Sequence, residues 1–501
     1  MISYIDSLLN RITMYRLVMY FLLLLIVVAF GISFFSLLPY SPLAIFTSFW
    51  AFLAVCWVSN ESFAKLFKAA PNTESVYITA FILTLIVPPA LPTDVNGLLF
   101  ILIASVLAMA SKYVLTIGKK HIFNPAAIAL VITAYAFNDS ASWWVGGNIW
   151  LLPVVVIGGL LVVRKIQRFD LVLSFLAVAF ATIILHSLPE SPWDVVQKIV
   201  LHTPIFFLAF IMLTEPLTTP PTRRWRVAYG ALAGLLYGPF VHVGPVYSTP
   251  ELVLVITNIF SYVVSPKVAL KLTLEHIEKA ADGVYTFIFR PDQKFTFQPG
   301  QYLEWTLPHK NPDQRGNRRY FTIASSPAAG TVSLGIKFYQ PASTFKKRLL
   351  DLQPGESLMA GSLAGDFTLP KNPKTKLAFI AGGIGITPFK SMIEHMLDTK
   401  DHKAERRDAV LFYSNKTSAE TAYKELFAKA EREVGLKVHY THTEETGFLT
   451  AQKIAEAMPD FTERMFYLSG PRVMVEAFEK TLFKMGVSRL NIKTDFFPGF
   501  V

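Results

Sequence analysis

Long uncharged apolar runs fill the chain up to about residue 264 and are absent beyond Pro266. Hydrophobic residues make up 52% of the chain and its mean hydropathy is +0.41, both higher than in ordinary soluble proteins. Several runs are shorter than the ~20 residues of a bilayer-spanning helix, so single runs could be re-entrant or broken helices. The pattern predicts a polytopic α-helical membrane domain with about ten helices over residues 1–265. The ten segments are Leu17–Leu38, Leu43–Val58, Tyr77–Leu91, Gly97–Ala110, Asn124–Phe137, Trp150–Val163, Leu171–Leu185, Val195–Leu213, Val227–Phe240 and Leu252–Val264.

Basic residues concentrate in alternate connections between these segments. The other connections, such as residues 39–42 and 138–148, carry almost none. Because positive residues are retained on the cytoplasmic side, this alternation predicts ten crossings with both ends of the chain in the cytoplasm. We therefore expect a multi-pass protein of the plasma membrane. The basic residues are Arg11, Arg16, Lys65, Lys68, Lys112, Lys119, Lys120, Arg164, Lys165, Arg168, Arg223, Arg224, Arg226 and Lys267.

The cysteine content and the net charge exclude several classes of site. The single cysteine, Cys56, lies in an apolar run. One thiol excludes disulfides within the chain, cysteine-ligated iron–sulfur clusters and cysteine-rich zinc sites, and no metal site is predicted. The net charge of +11 lies largely beside the apolar segments, so it does not indicate nucleic-acid binding.

Two stretches of the membrane domain repeat each other. Residues 85–93 resemble residues 212–220, and residues 124–125 correspond in the same way to residues 249–250. Five crossings separate the copies, so one is inverted relative to the other. Inverted pairs with proline-broken helices place a polar site near the bilayer midplane, and an intramembrane carboxylate such as Glu215 is costly. The alternative is that these prolines only kink packed helices.

Residues 123–127 (Phe-Asn-Pro-Ala-Ala) and 213–218 (Leu-Thr-Glu-Pro-Leu-Thr) resemble a family of membrane flavoproteins. This family comprises the D subunit of the Rnf complex and the B subunit of the sodium-pumping NADH:quinone reductase. The resemblance implies ten helices in two inverted halves that hold flavin. It makes Asn124, Thr214 and Glu215 candidate cofactor-binding residues.

Members of this family commonly attach FMN to the threonine of a Gly-Ala-Thr motif after the fifth helix. The corresponding loop of this chain, residues 138–147, contains no threonine. Covalent flavin is therefore not expected. Noncovalent FMN or riboflavin in the membrane domain, near Trp143 and Trp144, remains compatible with the resemblance.

The sequence beyond residue 266 has two different patterns. Residues 267–369 alternate short β-branched and aromatic runs with turns, which predicts a small antiparallel β-barrel. From Lys376 onward, strand-like runs are followed by helical ones, which predicts a parallel sheet with crossover helices. The expected domains are residues 1–265, 266–371 and 372–501.

Two stretches of this soluble part carry groups that suit a nucleotide. In residues 319–327, Arg319 could clamp a phosphate, Phe321 on the same face could lie on a ring, and Thr322 could bond a ring nitrogen. A plain strand ending in a Ser-Pro turn is the alternative. Residues 381–388 (Ala-Gly-Gly-Ile-Gly-Ile-Thr-Pro) place glycines between a strand and a helix, where backbone N–H groups can approach a pyrophosphate.

These stretches, in this order, resemble the ferredoxin–NADP reductase superfamily across roughly residues 267–501. The resemblance implies FAD in the barrel domain and NADH or NADPH in the α/β domain. Arg319, Phe321 and Thr322 fit the family's Arg-x-Tyr-Ser/Thr flavin motif, with Phe321 keeping the stacking face of the usual tyrosine. Further matching stretches are residues 298–302, 343–346, 365–367, 468–471 and 495–500.

The same resemblance assigns the remaining site residues. Ser325, Ser343 and Thr344 would help to hold the FAD diphosphate, and Phe496 or Phe497 would cover the flavin. Ser469 stands where many members carry a cysteine near the hydride path, so the catalytic candidates are Thr322, Ser469 and Phe496. The other cofactor-binding candidates are Tyr302, Gly382, Gly383, Gly385, Thr387, Pro388, Gly470 and Pro471.

The expected activity is that of an FAD-dependent NAD(P)H oxidoreductase. Hydride transfer from nicotinamide C4 to flavin N5 needs positioning and exclusion of water more than acid–base chemistry. We expect electrons to pass from cytosolic NAD(P)H via FAD into and across the membrane, to a flavin or an extracytoplasmic acceptor. The choice between NADH and NADPH stays open. Lys416 and His442 follow strands where a 2′-phosphate could sit, and could equally be solvated loop residues.

Three other functions fit parts of the pattern. The membrane half could deliver electrons to quinone within the bilayer. A haem-based ferric reductase or oxidase needs stacked histidine pairs, which His121, His186, His202 and His242 do not provide. The third is a transporter-like or anchoring membrane domain with the reductase tethered to it.

Overall fold

A computed structural model describes residues 2–9, 12–67, 73–117, 120–243, 246–265, 269–313, 316–339, 341–399 and 407–495. The chain forms two compact units that divide between positions 268 and 269. The first unit is helical apart from two short hairpins, and the second combines two β-sheets with helices.

The first unit contains a helix in each of the ten predicted apolar segments. Its helices are α1 (Ile2–Leu9), α2 (Met14–Ser33), α3 (Pro42–Leu66), α4 (Thr73–Ile86), α5 (Val95–Val114), α6 (Pro125–Phe137), α7 (Leu152–Ile166), α8 (Phe169–His186), α9 (Pro192–His202), α10 (Ile205–Phe207), α11 (Arg223–Tyr237) and α12 (Pro250–Val264). Its hairpins are β1 (Thr116–Ile117) with β2 (Lys120–His121), and β3 (His242–Val243) with β4 (Val246–Tyr247).

Length separates these helices into two groups. Within the described residues, α2, α3, α5 and α8 are long and apolar enough to cross a membrane, as judged by length and composition. A fifth span is possible if α9 and the helical stretch Ile205–Met212, which meet at a bend of 68°, are counted as one. The predicted helices are thus confirmed, and the count of ten crossings stays a prediction.

Close backbone approach joins α8 and α11. A Cβ on Gly234 would lie 2.6 Å from the Phe175 carbonyl oxygen, and one on Gly230 would strike the Leu171 carbonyl. Small residues four positions apart let two helices pack closely where lipid supplies no hydrophobic drive between them. The spacing of these glycines therefore positions α11 against α8.

The second unit begins with a curled antiparallel sheet of six strands in the order β8-β7-β10-β5-β6-β9. The backbone N–H of Ala324, just after β8, donates to the Ser333 carbonyl in β9 over 2.8 Å, which draws the two edges of the sheet together. The predicted antiparallel barrel domain is present as this curled sheet, which forms a half-barrel. Its elements are β5 (Leu270–Ala281), β6 (Val284–Pro291), β7 (Tyr302–Thr306), β8 (Arg318–Thr322), β9 (Val332–Lys337), β10 (Ser357–Ala364) and helix α13 (Thr344–Leu350).

A five-stranded parallel sheet, in the order β13-β12-β11-β14-β15, forms the rest of this unit. The central strand is buried on both faces: Phe379 packs with α14 and α15, and Ile380 packs with α17 and α18. This explains its unbroken apolar sequence. The elements are β11 (Leu377–Gly382), α14 (Thr387–Asp398), β12 (Ala409–Asn415), α15 (Lys424–Val434), β13 (Lys437–His442), α16 (Thr443–Thr446), α17 (Ala451–Ala457), β14 (Met465–Ser469), α18 (Arg472–Lys484) and β15 (Ile492–Thr494).

Candidate functional site

Strand β8 presents the predicted flavin residues at one edge of the half-barrel. It pairs with β7 so that Thr322 lies opposite Tyr302, and both side chains are buried. Arg319 and Phe321 alternate onto the other face, where both meet the ring of Phe345. The Arg319 guanidinium carbon lies 5.2 Å from that ring centre, and the centres of the Phe321 and Phe345 rings are 5.9 Å apart.

Arg319 and Thr344 converge on one carboxylate, that of Asp313. Arg319 Nη2 lies 3.0 Å from Asp313 Oδ1, and the backbone N–H of Thr344 donates to Asp313 Oδ2 over 3.3 Å. Thr344 Oγ1 in turn accepts from the Asp313 backbone N–H and lies 3.0 Å from His309 Nε2. A guanidinium and a backbone N–H arranged around a carboxylate are donors of the kind that also suit a phosphate. Their contact with the FAD diphosphate stays a prediction.

Two serines predicted to contact that diphosphate serve local structure. Ser343 caps α13, its hydroxyl accepting from the Lys346 backbone N–H over 3.3 Å. The hydroxyl of Ser325 donates to the Thr331 carbonyl and accepts from the backbone N–H of Ser333. Ser325 thus links the end of β8 to β9, and its contact with a diphosphate stays a prediction.

The predicted glycine-rich turn packs directly on the loop after β14. Strands β11 and β14 are parallel neighbours, with Ala381 opposite Ser469. A Cβ on Gly385 would lie against the Ser469 carbonyl and 2.5 Å from the Gly470 nitrogen. Gly470 itself has a φ of +152° and stands against Gly382. The structure therefore brings together the two loops that carry the predicted nicotinamide-cofactor residues.

The helix after this turn carries the remaining predicted residues. Gly383 adopts a φ of +53° with open space where a side chain would be. Thr387 and Pro388 are the first residues of α14, and Thr387 Oγ1 donates back to the Ile384 carbonyl over 3.2 Å. Pro471 directly precedes α18. Both helices thus begin at the carboxyl edge of the sheet, where open α/β sheets bind nucleotides.

Asp495 is a candidate functional residue that sequence reasoning missed. Ser469 Oγ donates to Asp495 Oδ2 over 3.0 Å, and the Asp495 backbone N–H donates to the Leu468 carbonyl. Burial raises the pKa of this carboxyl to about 7, although the bond from Ser469 lowers it. Asp495 directly follows β15, which is the parallel neighbour of β14. Because the carboxyl ends of parallel strands lie at the same edge of a sheet, this position in the sequence could have indicated that Asp495 lies near Ser469. The predicted catalytic Phe496 and its alternative Phe497 lie outside the described residues.

In the membrane unit, the structure joins Asn124 and Glu215. The Asn124 side-chain amide donates to Glu215 Oε2 over 2.9 Å, and Thr218 Oγ1 donates to the same oxygen over 3.0 Å. The Asn124 backbone N–H donates to Asn258 Oδ1 over 2.8 Å. Thr214 does not join this cluster through its hydroxyl, which bonds the Phe210 and Ile211 carbonyls of its own helical turn.

A small pocket adjoins this polar cluster. Ser261 Oγ is buried beside it, without a hydrogen-bond partner among the described residues. His121 Nε2, also on its wall, lies 3.9 Å from Glu215 Oε1. The lining residues are His121, Ile122, Leu217, Thr218, Asn258, Ser261 and Tyr262.

The tryptophan pair has a structural role that the sequence did not reveal. Trp143 and Trp144 are both buried, at 4% and 8% exposure. The indole of Trp143 donates to Glu251 Oε2 over 2.8 Å, and that of Trp144 donates to the Thr84 and Val87 carbonyls. The Trp144 indole thus satisfies carbonyls at the proline break after α4. The rings are packed inside the unit, so a flavin stacked on them does not match this arrangement.

Lys416 and His442 stand at the ends of β12 and β13 without forming a shared cationic site. Lys416 is exposed, and its carbonyl accepts from the Glu444 backbone N–H. His442 Nε2 lies 3.3 Å from Thr421 Oγ1, and its Nδ1 lies 3.5 Å from a Glu445 carboxylate oxygen. These contacts leave the choice between NADH and NADPH open.

Comparison with known proteins finds two different family models, each matching part of one unit. Residues 145–268 match the NQR2, RnfD, RnfE family, and residues 379–480 match the oxidoreductase NAD-binding domain. Curated relatives include flavohemoprotein A of Dictyostelium discoideum, 23% identical over 43% of this chain, and an NADPH oxidoreductase of Mycobacterium tuberculosis, 26% identical over 43%. The chain spans 57% of the length of each.

A solved structure similar to this chain is the flavohem-like FAD/NAD binding domain of nitric oxide dioxygenase from Vibrio cholerae. It is 17% identical, with a TM-score of 0.40, and the match covers 46% of this chain and 98% of that one. The family matches and the two folds together identify the chain as a fusion of an NQR2, RnfD, RnfE family membrane domain with a ferredoxin reductase-type module.

Proposed function

We propose that the chain is a membrane-bound flavin oxidoreductase that takes electrons from cytosolic NAD(P)H and passes them into and across the membrane. The acceptor would be a membrane-bound flavin or an extracytoplasmic flavin-bearing protein. The observation that carries the proposal is the fusion itself: a nucleotide-binding reductase module and an RnfD-like membrane domain occupy one chain. We further propose domains at residues 1–265, 266–371 and 372–501, with both ends of the chain cytoplasmic.

The reductase module supplies position and charge. FAD, when bound, would provide the hydride-accepting ring and release electrons singly. Arg319 and Thr344 would hold its diphosphate, and Phe321 would lie on its ring. Thr322, buried at the end of β8, would offer its hydroxyl near the reacting nitrogen. Gly382, Gly383 and Gly385 would let backbone N–H groups approach the nicotinamide cofactor's phosphates.

Ser469 and Asp495 would line the nicotinamide side of this site. Ser469 ends β14 next to the glycine turn, and its hydroxyl is held by the Asp495 carboxylate. A carboxyl whose pKa is near 7 can hold or release a proton at physiological pH. We propose that the pair orients the nicotinamide ring rather than reacting with it, because hydride transfer itself needs no proton from the protein.

The membrane unit needs a relay, because a bilayer core of ~30 Å is too thick for one efficient electron step. Asn124 and Asn258 are buried and form a polar cluster with the partly exposed Glu215 beside a proline-broken helix. Amide donors and carboxylate acceptors of this kind suit the polar edge of a noncovalent FMN or riboflavin. The pocket beside them is small, so only part of such a ring would enter it.

Flavin counting and vectorial electron transfer test this proposal. The full-length protein should release more than one flavin per chain on denaturation. Reconstituted in liposomes that enclose ferricyanide, it should reduce the trapped ferricyanide when NADH or NADPH is added outside, and the Arg319→Ala variant should not. A single flavin per chain, together with no reduction of the trapped acceptor, would exclude the electron conduit.

Quinone reduction within the bilayer is the second candidate function. The observation that favours it is the buried Ser261 hydroxyl on the wall of the pocket beside Glu215, since a free hydroxyl can donate to a quinone carbonyl. In the same liposomes, reduction of an added quinone without reduction of trapped ferricyanide would select this function. Reduction of neither would leave the membrane unit as an anchor or a transporter-like domain.

A further inference from the structure

Three side chains of α14 bind the backbone of the turn that follows β8. Lys390 Nζ donates to the Ala324 carbonyl over 3.1 Å, and Ser391 Oγ donates to the Ser325 carbonyl over 2.7 Å. Glu394 Oε2 accepts from the Ser326 backbone N–H over 3.0 Å. Successive residues of one turn, 324–326, are thus each held by the same helix. We name Lys390, Ser391 and Glu394 the α14 clamp.

Two of the three residues of the α14 clamp are buried, and the charges of Lys390 and Glu394 are paired. Lys390 is 9% exposed and Ser391 is fully buried. Lys390 Nζ also contacts Glu394 Oε1, and it lies 5.4 Å from the centre of the Tyr423 ring. An isolated ammonium group at this depth would be costly, whereas one bonded to a carboxylate and a carbonyl is compensated. Such a pair fixes geometry more than it adds stability.

The spacing of the α14 clamp follows from helix geometry. Residues 390 and 394 lie on one face, one turn apart, and residue 391 lies on the adjoining face. All three belong to the first two turns of a helix that begins at Thr387. That helix starts directly at the glycine turn, residues 382–386. The helix therefore connects the glycine turn to the segment after Thr322 through three hydrogen bonds.

We infer that the α14 clamp sets the distance between the hydride donor and its acceptor. This inference rests on the proposed function, in which the glycine turn holds the nicotinamide cofactor and β8 holds the flavin. A shift of the 324–326 segment would move Thr322 and Phe321 relative to the glycine turn. Lys390, Ser391 and Glu394 are therefore positioning residues: they act through the backbone of the flavin strand and touch neither cofactor.

Two further contacts join the half-barrel to the part of the module that contains the parallel sheet. The Tyr423 hydroxyl lies 2.9 Å from Thr286 Oγ1, and Lys337 Nζ lies 2.7 Å from a Glu420 carboxylate oxygen. Both contacts join the half-barrel to the region around the start of α15. The α14 clamp differs because it alone among these contacts binds the segment adjoining β8, so its loss should alter the reacting geometry without separating the halves.

The test uses the full-length protein with its bound flavin. Ser391→Ala removes one buried donor without adding volume, and Thr399→Val is the matched control. Thr399 follows the last residue of the same helix, and its hydroxyl donates to the His395 carbonyl one turn earlier. Anaerobic stopped-flow mixing with NADH and with NADPH would give the limiting rate of flavin bleaching and the apparent cofactor affinity. Repetition with the cofactor deuterated at the transferred position would give the isotope effect.

If the α14 clamp sets this distance, its loss should lower the rate of flavin reduction without weakening the binding of flavin or nicotinamide cofactor. Ser391→Ala should lower the limiting rate about 10-fold and change its isotope effect, while flavin content and cofactor affinity stay at wild-type values. Thr399→Val should match the wild type in every measurement. An unchanged limiting rate in Ser391→Ala, or a loss of flavin that accounts for its slower turnover, would overturn the inference.

A second variant keeps the test decisive if Ser391→Ala does not fold. Glu394→Gln keeps an oxygen for the Ser326 N–H and removes the charge that pairs with Lys390. It should show the same lower rate with unchanged binding, and wild-type kinetics in this variant would count against the clamp. A wild-type protein that binds no flavin or oxidises neither NADH nor NADPH would instead refute the proposed function.

Discussion

Arg319 shows how one side chain can have two roles. Its guanidinium is 10% exposed, lies over the Phe345 ring and pairs with Asp313. The same group is the cation expected at the FAD diphosphate. Asp313 therefore holds the guanidinium N–H groups of Arg319 in a fixed orientation. Phosphate binding would use donors that are already gathered, which lowers the entropy lost on binding.

Arg319→Ala should weaken flavin binding. Hydrogen bonds to charged groups contribute about 1.5–3 kcal/mol, so the flavin dissociation constant should rise by about ten- to a hundredfold. Fluorescence of released flavin on dilution would measure it. Arg290→Ala is the control, because Arg290 is 71% exposed on the same sheet. Equal flavin retention in both variants would remove Arg319 from the site.

Asp495 predicts a specific dependence of stability on pH. Its pKa is about 7 in the folded protein against an ordinary value of 3.8, so the folded state binds an extra proton between these values. The stability that it contributes is full below about pH 4 and is lost as pH rises through about 7. Asp495→Asn should therefore flatten the fall in unfolding temperature between about pH 4 and about pH 7.

Two companion variants sharpen the measurement on Asp495. Ser469→Ala removes the hydrogen bond that lowers the Asp495 pKa, so it should move the transition to higher pH. Asp282→Asn changes a carboxylate that is 74% exposed in the same unit and should leave the wild-type pH dependence intact. The same slope in wild type and Asp495→Asn would contradict the assignment.

At the scale of elements, the glycine turn is shaped by its neighbour as much as by a ligand. Residues 382–385 and 469–470 pack backbone against backbone at the ends of β11 and β14. The sequence predicted these glycines to let backbone N–H groups approach a pyrophosphate. The structure adds that Gly385 is required by the fold itself, because any side chain there would strike the neighbouring loop.

Substitutions at Gly385 and Gly383 should separate these two demands. Gly385→Ala would push a Cβ into the backbone of Ser469 and Gly470, and should lower the free energy of unfolding by about 3 kcal/mol. Gly383→Ala meets no atom within 4 Å and should cost about 1 kcal/mol for its positive φ alone. Denaturant titration followed by tryptophan fluorescence would compare them. Equal costs would mean that the loops do not pack as described.

At the scale of the whole molecule, the distribution of charge predicts the orientation of the membrane unit. Alternating basic connections predict that residues 138–148 lie outside and that the reductase module lies inside. The chain offers a simple way to measure this, because Cys56 is its single cysteine and is buried. A background without native thiols can therefore be made by one substitution.

Labelling of intact cells should confirm the orientation. In a Cys56→Ser background, Ser140→Cys in the predicted outer loop should react with a membrane-impermeant maleimide. Ser418→Cys in the reductase module should react only after the cells are lysed. Labelling of Ser418→Cys in intact cells would reverse the orientation and, with it, the proposed direction of electron flow.

The sequence alone determined the division into a membrane and a soluble part, the ten helical segments, and the two stretches that suit nucleotides. Each of these depends on neighbours in the chain, through apolar runs, turn residues and glycines, so local physics predicts them. The tertiary structure decided which residues of the chain contact each other. Asn124 meets Asn258 across 134 positions, and Ser391 meets Ser325 across 66. Contacts between such distant residues depend on how elements pack, and local sequence patterns carry no measure of those distances.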